Sequence, residues 1–257
     1  SPYLLADRII KHALTLGCDA VHPGYGFLAE RADFAEAVSA AGLIWVGPPP
    51  NVMRAMAEKD AAKQRAQAAG VPVLEGFACG DLAASAIRSK AEDMGFPLLI
   101  KAVAGGGGRG MRVVQDSDEL VAQLPVAAAE AQKSFGDARL LVERYVGRGR
   151  HIEVQIFGDE HGSLVHLHER ECSIQRRHQK IIEESPATTI SDALRDEICA
   201  AAVRLGASIG YVNAGTVEFL VDEDRGDFAF LEVNARIQVE HPVTEARTGV
   251  DLVRWQL

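Results

Sequence analysis

Apolar positions in the first fifty residues fall in short runs of two periods. Ile9, Ile10, Ala13 and Leu16 lie at helical spacing, and the stripe stops at Gly17. Asp19 to His22 reads as a short strand broken by the glycines of HPGYG. A second helix near Phe34 to Ala41 stops at Gly42; the strand LIWVG follows, and PPP ends the unit. Helix, glycine and strand, repeated, predict an α/β layer with parallel strands. Because the chain opens on a helix, the first strand of that layer is expected to precede it, and the sequence reads as a fragment.

Further along, Asn51 is suited to cap a helix that runs to Ala69 and ends at Gly70. A helix near Ala83 to Met94 precedes the strand-like GFPLLIKAV, the loop GGGGRG and a second strand, MRVVQ. Asp116 to Glu119 starts another helix, which Pro125 is expected to split, because proline suits a first turn better than a helix interior. From Arg139 onward strands dominate: LLVERYV, HIEVQIFGD and SLVHLHERE. One more helix, Asp192 to Ala207, carries Leu194, Ile198, Ala201 and Leu205 on one face. A last hairpin pairs AGTVEFLVD with FAFLEVN across DEDRGD.

Composition narrows the class. With 257 residues, 47% hydrophobic and 25% charged, the chain has an ordinary globular make-up and room for one large domain or two smaller ones. It has neither an apolar run of membrane-spanning length nor a signal-peptide pattern, so no membrane association is expected. A net charge of -9 argues against a broad nucleic-acid footprint. Cys18, Cys79, Cys172 and Cys199 form no CxxC pair, which disfavours a disulfide framework and makes a reducing cytoplasm the simplest compartment.

Gly105, Gly107 and Gly110 fit GxGxxG, but the loop runs into a strand, whereas a dinucleotide fingerprint opens a helix. Strand, glycine loop and return strand make a flap whose backbone N–H groups can close on phosphate oxygens. Lys101, just before the loop, can reach a phosphate as a point charge. Glu232 and Asn234 share one strand face, and Glu218 can face them across the hairpin. That set is either a solvated polar edge or, beside a phosphate loop, a hard oxygen site for magnesium. Arg170, Arg176, Arg177, His178 and Lys180 lie between acids, which reads as a solvated salt-bridged face or as a focus for an anion. If RIQVEHPVTE is extended, Arg236, Gln238 and Glu240 share a face able to hold a small planar acid, with a carboxylate as base. His166 and His168, with Cys172 nearby, match no common zinc spacing.

Together HPGYGFLAE, KAVAGGGGRGMRVV, ERECSIQRRHQK, GTVEFL and LEVNARIQVEHPVTE resemble the ATP-grasp core of biotin carboxylase, over essentially the whole chain. The resemblance implies an α/β and α+β chain: an ATP-grasp fold preceded by the remainder of a Rossmann-like domain. Its implied bounds are 1–50 for the end of the N-terminal domain and 51–257 for the ATP-grasp domain, with a lid at about 73–145 and a C-terminal subdomain starting at about 146. It implies that Lys59 and Lys101 contact ATP phosphates and that Gly106, Gly107 and Gly108 form the flap. Glu143 and Val146 would lie at the adenine, with His151, Gln175, His178 and Leu220 also lining the nucleotide site. Glu218, Glu232 and Asn234 would hold magnesium or manganese, two ions in all. Lys180, Arg236, Gln238, the backbone of Val239, and Glu240 would hold bicarbonate. Glu240 would be the general base, Arg236 an electrostatic stabiliser and Glu153 a further position near the chemistry.

The implied reaction is ATP-dependent carboxylation of biotin on a carrier protein, by way of carboxyphosphate. A biotin carboxyl carrier, a carboxyltransferase component and homo-oligomerisation of the full-length protein are implied with it. Arg144 stands where the family often has lysine, and Ala57, Glu58 and Lys59 replace its usual G-D-K. The family's C-terminal part, with an arginine that steadies the biotin enolate, is expected beyond Leu257. Two other readings stay open: another ATP-grasp ligase, of the carbamoyl-phosphate or purine-pathway kind, and a non-catalytic ATP-binding homologue. RIQVEHPVTE weighs against the first, and the retained metal and bicarbonate residues against the second. EESPA after QRRHQKII looks more like the acyl-CoA branch than the pyruvate branch of the family.

Overall fold

The computed structural model describes residues 1–257 except 81, 105–109 and 178. The opening unit is α1 (Ala6–Thr15), β1 (Ala20–Val21), α2 (Ala32–Ala40) and β2 (Ile44–Trp45). β1 and β2 pair in parallel, Ala20 opposite Ile44, as the alternating pattern predicts. Ile10, Leu28, Phe34, Val38 and Leu43 form its core. Leu16 does not join them and is 79% exposed, because it lies at the helix end where Gly17, at φ +70°, turns the chain away.

The single helix expected from Asn51 to Ala69 is two, α3 (Pro50–Ala57) and α4 (Lys59–Ala68). Glu58 between them is extended (φ -95°, ψ 117°). Asn51 lies inside α3 and caps nothing; Pro50 occupies the first turn, where a missing N–H costs no hydrogen bond. The break starts a fresh helix at Lys59 and brings its ammonium 3.8 Å from Glu232.

A four-stranded antiparallel sheet follows, in the order β3 (Gly76–Ala78), β6 (Leu140–Arg144), β4 (Leu98–Ala102), β5 (Arg112–Val114). Two helices, α5 (Ala84–Met94) and α6 (Ser117–Phe135), bury Ile87, Ala91, Leu120, Ala127 and Ala131 against Leu98, Ile100 and Val142. Pro125 does not split α6, which runs 19 residues through it. Buried Leu120 on one side and Ala127 and Ala131 on the other fix the helix to the sheet. Its ends are also closed: the Asp116 carboxylate accepts from the Asp118 and Glu119 N–H groups, and Gly136 is left-handed. β4 and β5 are antiparallel neighbours, so the flanks of the glycine flap are as the sequence predicts.

The largest sheet has five antiparallel strands, ordered β11 (Asp227–Asn234), β10 (Asn213–Asp222), β7 (Gly149–Gly158), β8 (Leu164–Arg176), β9 (Gln179–Glu184). One face is apolar. Ile152, Val154, Ile156, Val217, Phe219 and Phe230 belong to a core shared with Ile198, Ala201 and Leu205 of α7 (Asp192–Ser208), the helix face expected from the spacing. The alternate residues Glu153, Gln155, Thr216 and Glu218 point to the opposite face yet are also buried. That polar face is closed by the segment after β11 and by α8 (His241–Thr248); α9 (Leu252–Gln256) follows. No helix among the described residues is long and apolar enough to cross a membrane.

Candidate active site on the polar sheet face

Register places three carboxylates side by side. Glu153 of β7 pairs with Glu218 of β10, and Glu218 pairs with Glu232 of β11. Like charges opposite one another on a sheet repel, so this row needs cations. Lys180, on β9, donates to Glu153, to Glu218 Oε1 at 2.9 Å and to Glu240 Oε1 at 2.7 Å. His151 Nε2 lies 2.9 Å from the second oxygen of Glu218, and Gln175 fixes the other ring nitrogen at 2.9 Å.

These contacts set the charge states. Burial alone would discharge Lys180, but Glu218 and Glu153 outweigh it and hold the ammonium above its ordinary value. Burial pushes the Glu218 and Glu240 carboxyls up. His151 and Lys180 reverse this at Glu218, and Lys180 reverses it at Glu240, so both stay below the usual carboxylate range. Glu232 is raised, by burial and by its neighbour Glu218.

The segment after β11 supplies the rest. It is not extended as the RIQVEHPVTE pattern suggested; it turns into α8, with Glu240 as the residue before the helix. Pro242 in the first turn favours that helix start. Gln238 is buried and donates to Glu218 Oε1 at 3.1 Å, while Val239 is 62% exposed. Asn234 donates its amide to Glu218 Oε1 at 2.8 Å and accepts from Arg236 at 3.0 Å. Glu30, from the opening unit, accepts from Arg236 Nε at 3.1 Å and from the Ala235 N–H at 3.0 Å. By a turn instead of a shared strand face, Gln238 reaches Glu218 directly, Glu240 joins it through Lys180, and Arg236 joins it through Asn234.

Beside the row lies a cavity of about 270 Å³ lined by Lys59, Glu232, Asn234, Glu30, Met53 and Met56. On the four-stranded sheet, Lys101 donates to Glu143 at 2.8 Å. Glu143 is fully buried and also pairs with Lys63. Its carboxylate therefore holds two lysines. Val146 and Leu220 meet over Gly149: a Cβ there would lie 2.7 Å from Leu220 Cδ1 and 3.3 Å from Val146 Cγ1. Leu220 pairs across the strands with His151, so this apolar ledge continues into the carboxylate row. Gly106, Gly107, Gly108 and His178 lie outside the described residues.

The basic run divides. Arg170 is fully buried, whereas Arg176 and Arg177 are exposed. His166 and His168 are exposed and stack edge to face at 5.5 Å, away from a ligand set with buried Cys172. Sequence reasoning passed over Lys63 and Glu30. Lys63 carried a weak signal, one helical turn beyond Lys59; Glu30 sits in a segment with no periodic pattern.

A divalent cation fits this chemistry. Glu218, Glu232 and Asn234 carry the hard oxygens such an ion takes; here Asn234 Oδ1 accepts from Arg236 and Glu218 accepts from Lys180, Gln238 and Asn234, so an ion would take the place of some of these donors, while Glu232 has the Lys59 ammonium at 3.8 Å. Among the described residues, His151, Glu153 and Glu218 also bring ligand atoms within 4.8 Å of one another. Lys180 sits among those three side chains, whereas Glu232 lines the cavity with Lys59 at 3.8 Å, so the β10–β11 side is the candidate metal site.

The family described as "Carbamoyl-phosphate synthase L chain, ATP binding domain" matches residues 58–257, and "Biotin carboxylase, N-terminal domain" matches residues 1–53. The chain belongs to this ATP-binding family, in its biotin carboxylase branch. It is 51% identical over 255 residues to the mitochondrial methylcrotonoyl-CoA carboxylase subunit alpha of Oryza sativa subsp. japonica, covering 99% of this chain and 35% of that protein. It is also 51% identical to pyruvate carboxylase 1 of Caenorhabditis elegans, covering 99% of this chain and 22% of that one. The biotin carboxylase domain of the Hydrogenobacter thermophilus 2-oxoglutarate carboxylase, a dimer solved with MgADP and bicarbonate, superposes with a TM-score of 0.89 at 44% identity. That match covers 99% of this chain and 56% of the other. The chain therefore spans about a third or less of the two relatives and just over half of the solved domain. The ATP-grasp fold expected from the sequence is the one observed.

Proposed function

We propose that the full-length protein carboxylates biotin on a carrier, using ATP and bicarbonate, as the first half-reaction of a biotin-dependent carboxylase. The observation that carries this is Lys180 bridging Glu218 and Glu240, with Gln238 donating to Glu218 and Arg236 to Asn234, beside the Lys59-lined cavity. Support comes from the solved relative described with MgADP and bicarbonate.

In this reading Lys180, Arg236, Gln238 and the backbone of Val239 hold bicarbonate, and Glu240, kept ionised by Lys180, takes its proton. A bicarbonate oxygen then attacks the γ-phosphorus, the bond to the β-phosphate oxygen breaks, and ADP leaves with carboxyphosphate formed. Lys59 and Lys101 offset the charge on the phosphates, with backbone N–H groups of Gly106, Gly107 and Gly108 as further phosphate donors. To reach a phosphate Lys101 must leave Glu143, and Lys63 keeps that carboxylate paired when it does. Glu218, Glu232 and Asn234 would hold magnesium or manganese, whose charge stabilises the phosphate oxygens. Carboxyphosphate cleaves to carbon dioxide and phosphate. Phosphate removes the proton from biotin N1′, and that nitrogen attacks carbon dioxide. Val146 and Leu220 form an apolar wall for the adenine, with Glu143, Gln175, His151 and His178 at the same site.

The same reading divides the chain into the end of an N-terminal domain (1–50) and an ATP-grasp domain (51–257) with a lid at about 73–145. A carrier, a carboxyltransferase component and a second copy of the chain would be its partners, in a reducing compartment that suits four unpaired cysteines, such as the cytoplasm. In this reading the choice of acceptor lies with the carboxyltransferase, in keeping with equal identity to a methylcrotonoyl-CoA and a pyruvate carboxylase. The test is ADP release by the full-length protein with magnesium and ATP. Stimulation by both bicarbonate and free biotin is expected; turnover indifferent to both would sink the proposal.

A further inference from the structure

Arg170 entered as one charge in a basic run, and the structure buries it completely at the centre of the polar sheet face. A guanidinium has five N–H donors in a fixed planar fork. Here each has an acceptor. Nε donates to Glu153 Oε1 at 2.7 Å; Nη1 donates to Gln155 Oε1 at 2.9 Å and Thr244 Oγ1 at 2.8 Å; Nη2 donates to Gln238 Oε1 at 2.7 Å and Thr216 Oγ1 at 3.5 Å. The acceptors come from β7, β10, the turn after β11 and α8, so one planar group ties four pieces of chain to β8.

The fork also decides which way its partners face. An amide has one oxygen and one nitrogen end. Because Arg170 offers donors alone, it takes the oxygen of Gln238 and forces the N–H₂ end outward, where it meets Glu218. It takes Oε1 of Glu153 and leaves Oε2 for Lys180. Gln155 is turned in the same way and spends its amide on the Gly215 carbonyl at 2.9 Å.

We propose that Arg170 is a positioning residue for the bicarbonate site. By holding the oxygen of Gln238 and one oxygen of Glu153, it aims the Gln238 amide donor and the Lys180 ammonium at the anion. It acts through those residues and does not touch substrate itself. This rests on the biotin carboxylase reading above.

The test uses the full-length protein and steady-state ATP turnover, with separate KM values for bicarbonate and ATP in the wild type, Arg170→Lys, Gln238→Ala and the double variant. Lysine keeps the charge but not the fork. Arg170→Lys is expected to raise the bicarbonate KM about tenfold, the equivalent of one charge-assisted contact, with the ATP KM within about twofold. In the Gln238→Ala background the same change is expected to add less than about threefold, because one of the two residues it acts through is gone and the route through Glu153 remains. Additive effects, or an ATP KM that rises as much as the bicarbonate KM, would overturn the role. If Arg170→Lys does not fold, Thr244→Val removes one anchor away from substrate; a bicarbonate KM raised a few-fold supports the role, and an unchanged one overturns it. A wild type without bicarbonate dependence would sink the activity itself, whereas a bicarbonate-dependent wild type with an indifferent Arg170→Lys would sink the positioning role alone.

Discussion

Lys180 lets Glu153, Glu218 and Glu240 share one small volume, and Lys180→Met removes that cation while keeping the aliphatic stem. The ammonium is mostly buried, with 18% of the side chain exposed, and Glu153 is fully buried. Removing one partner of a buried ion pair costs about 3–5 kcal/mol, because the other charge stays behind unpaired. Three carboxylates lose the same cation here, which favours the upper end; the ammonium no longer needs to be desolvated, which keeps the cost from tripling. At about 2–4 °C per kcal/mol for a domain of this size, the melting temperature should fall by about 10–20 °C at neutral pH.

The pH dependence is a second, independent reading. Glu240 and Glu218 have carboxyls held below their ordinary range, partly by Lys180. A depressed carboxyl adds stability above that range and loses it as pH falls through its folded value. The variant lacks the depression that Lys180 supplies. The gap between wild type and variant should therefore be full at neutral pH and narrow as pH falls below about 4.5. Thermal unfolding of the full-length protein from pH 8 to pH 3 measures both. A loss under about 3 °C, or a gap independent of pH, would refute the view that Lys180 neutralises the carboxylate row.

Three further outcomes follow from other parts of the fold. Glu169 is fully buried and accepts from Arg195 at 2.8 Å, Arg247 at 3.0 Å and the Ala187 N–H at 2.9 Å; Glu169→Gln should cost about 3 kcal/mol in chemical denaturation. Pro125 interrupts the hydrogen bonding of α6, so Pro125→Ala should stabilise the protein by about 1–3 kcal/mol without changing turnover, measured by the same denaturation. Gly149→Ala places a Cβ against Leu220 and Val146, and should raise the KM for ATP while leaving that for bicarbonate unchanged.

Much of the site was legible because strand alternation is a strict code. Glu218, Glu232 and Asn234 could be put on one face of a hairpin from period two alone, and the register agrees. The parallel opening layer and the α7 stripe were readable for similar reasons. Arg170 was not, because its burial is decided by Thr244 and Gln238, some seventy residues on, and a charge run has no periodic mark of burial. The turn at Gln238 was missed since the same segment read as a strand places the same side chains together. The break at Glu58 and the passage of α6 through Pro125 are cases where tertiary contact outweighed local preference: sheet packing keeps one helix continuous, and the end of α3 frees Lys59 to approach Glu232.

The central claim is that an oxygen of bicarbonate attacks the γ-phosphorus of ATP while Glu240 takes the proton. Turnover of ATP by the full-length protein with ¹⁸O-labelled bicarbonate tests this by the mass of the released phosphate. Because carboxyphosphate breaks at its carbon–oxygen bond, each phosphate should carry one oxygen from bicarbonate, and Glu240→Gln should abolish the labelled product. Phosphate released without label would mean that water attacks ATP directly, and would contradict the account.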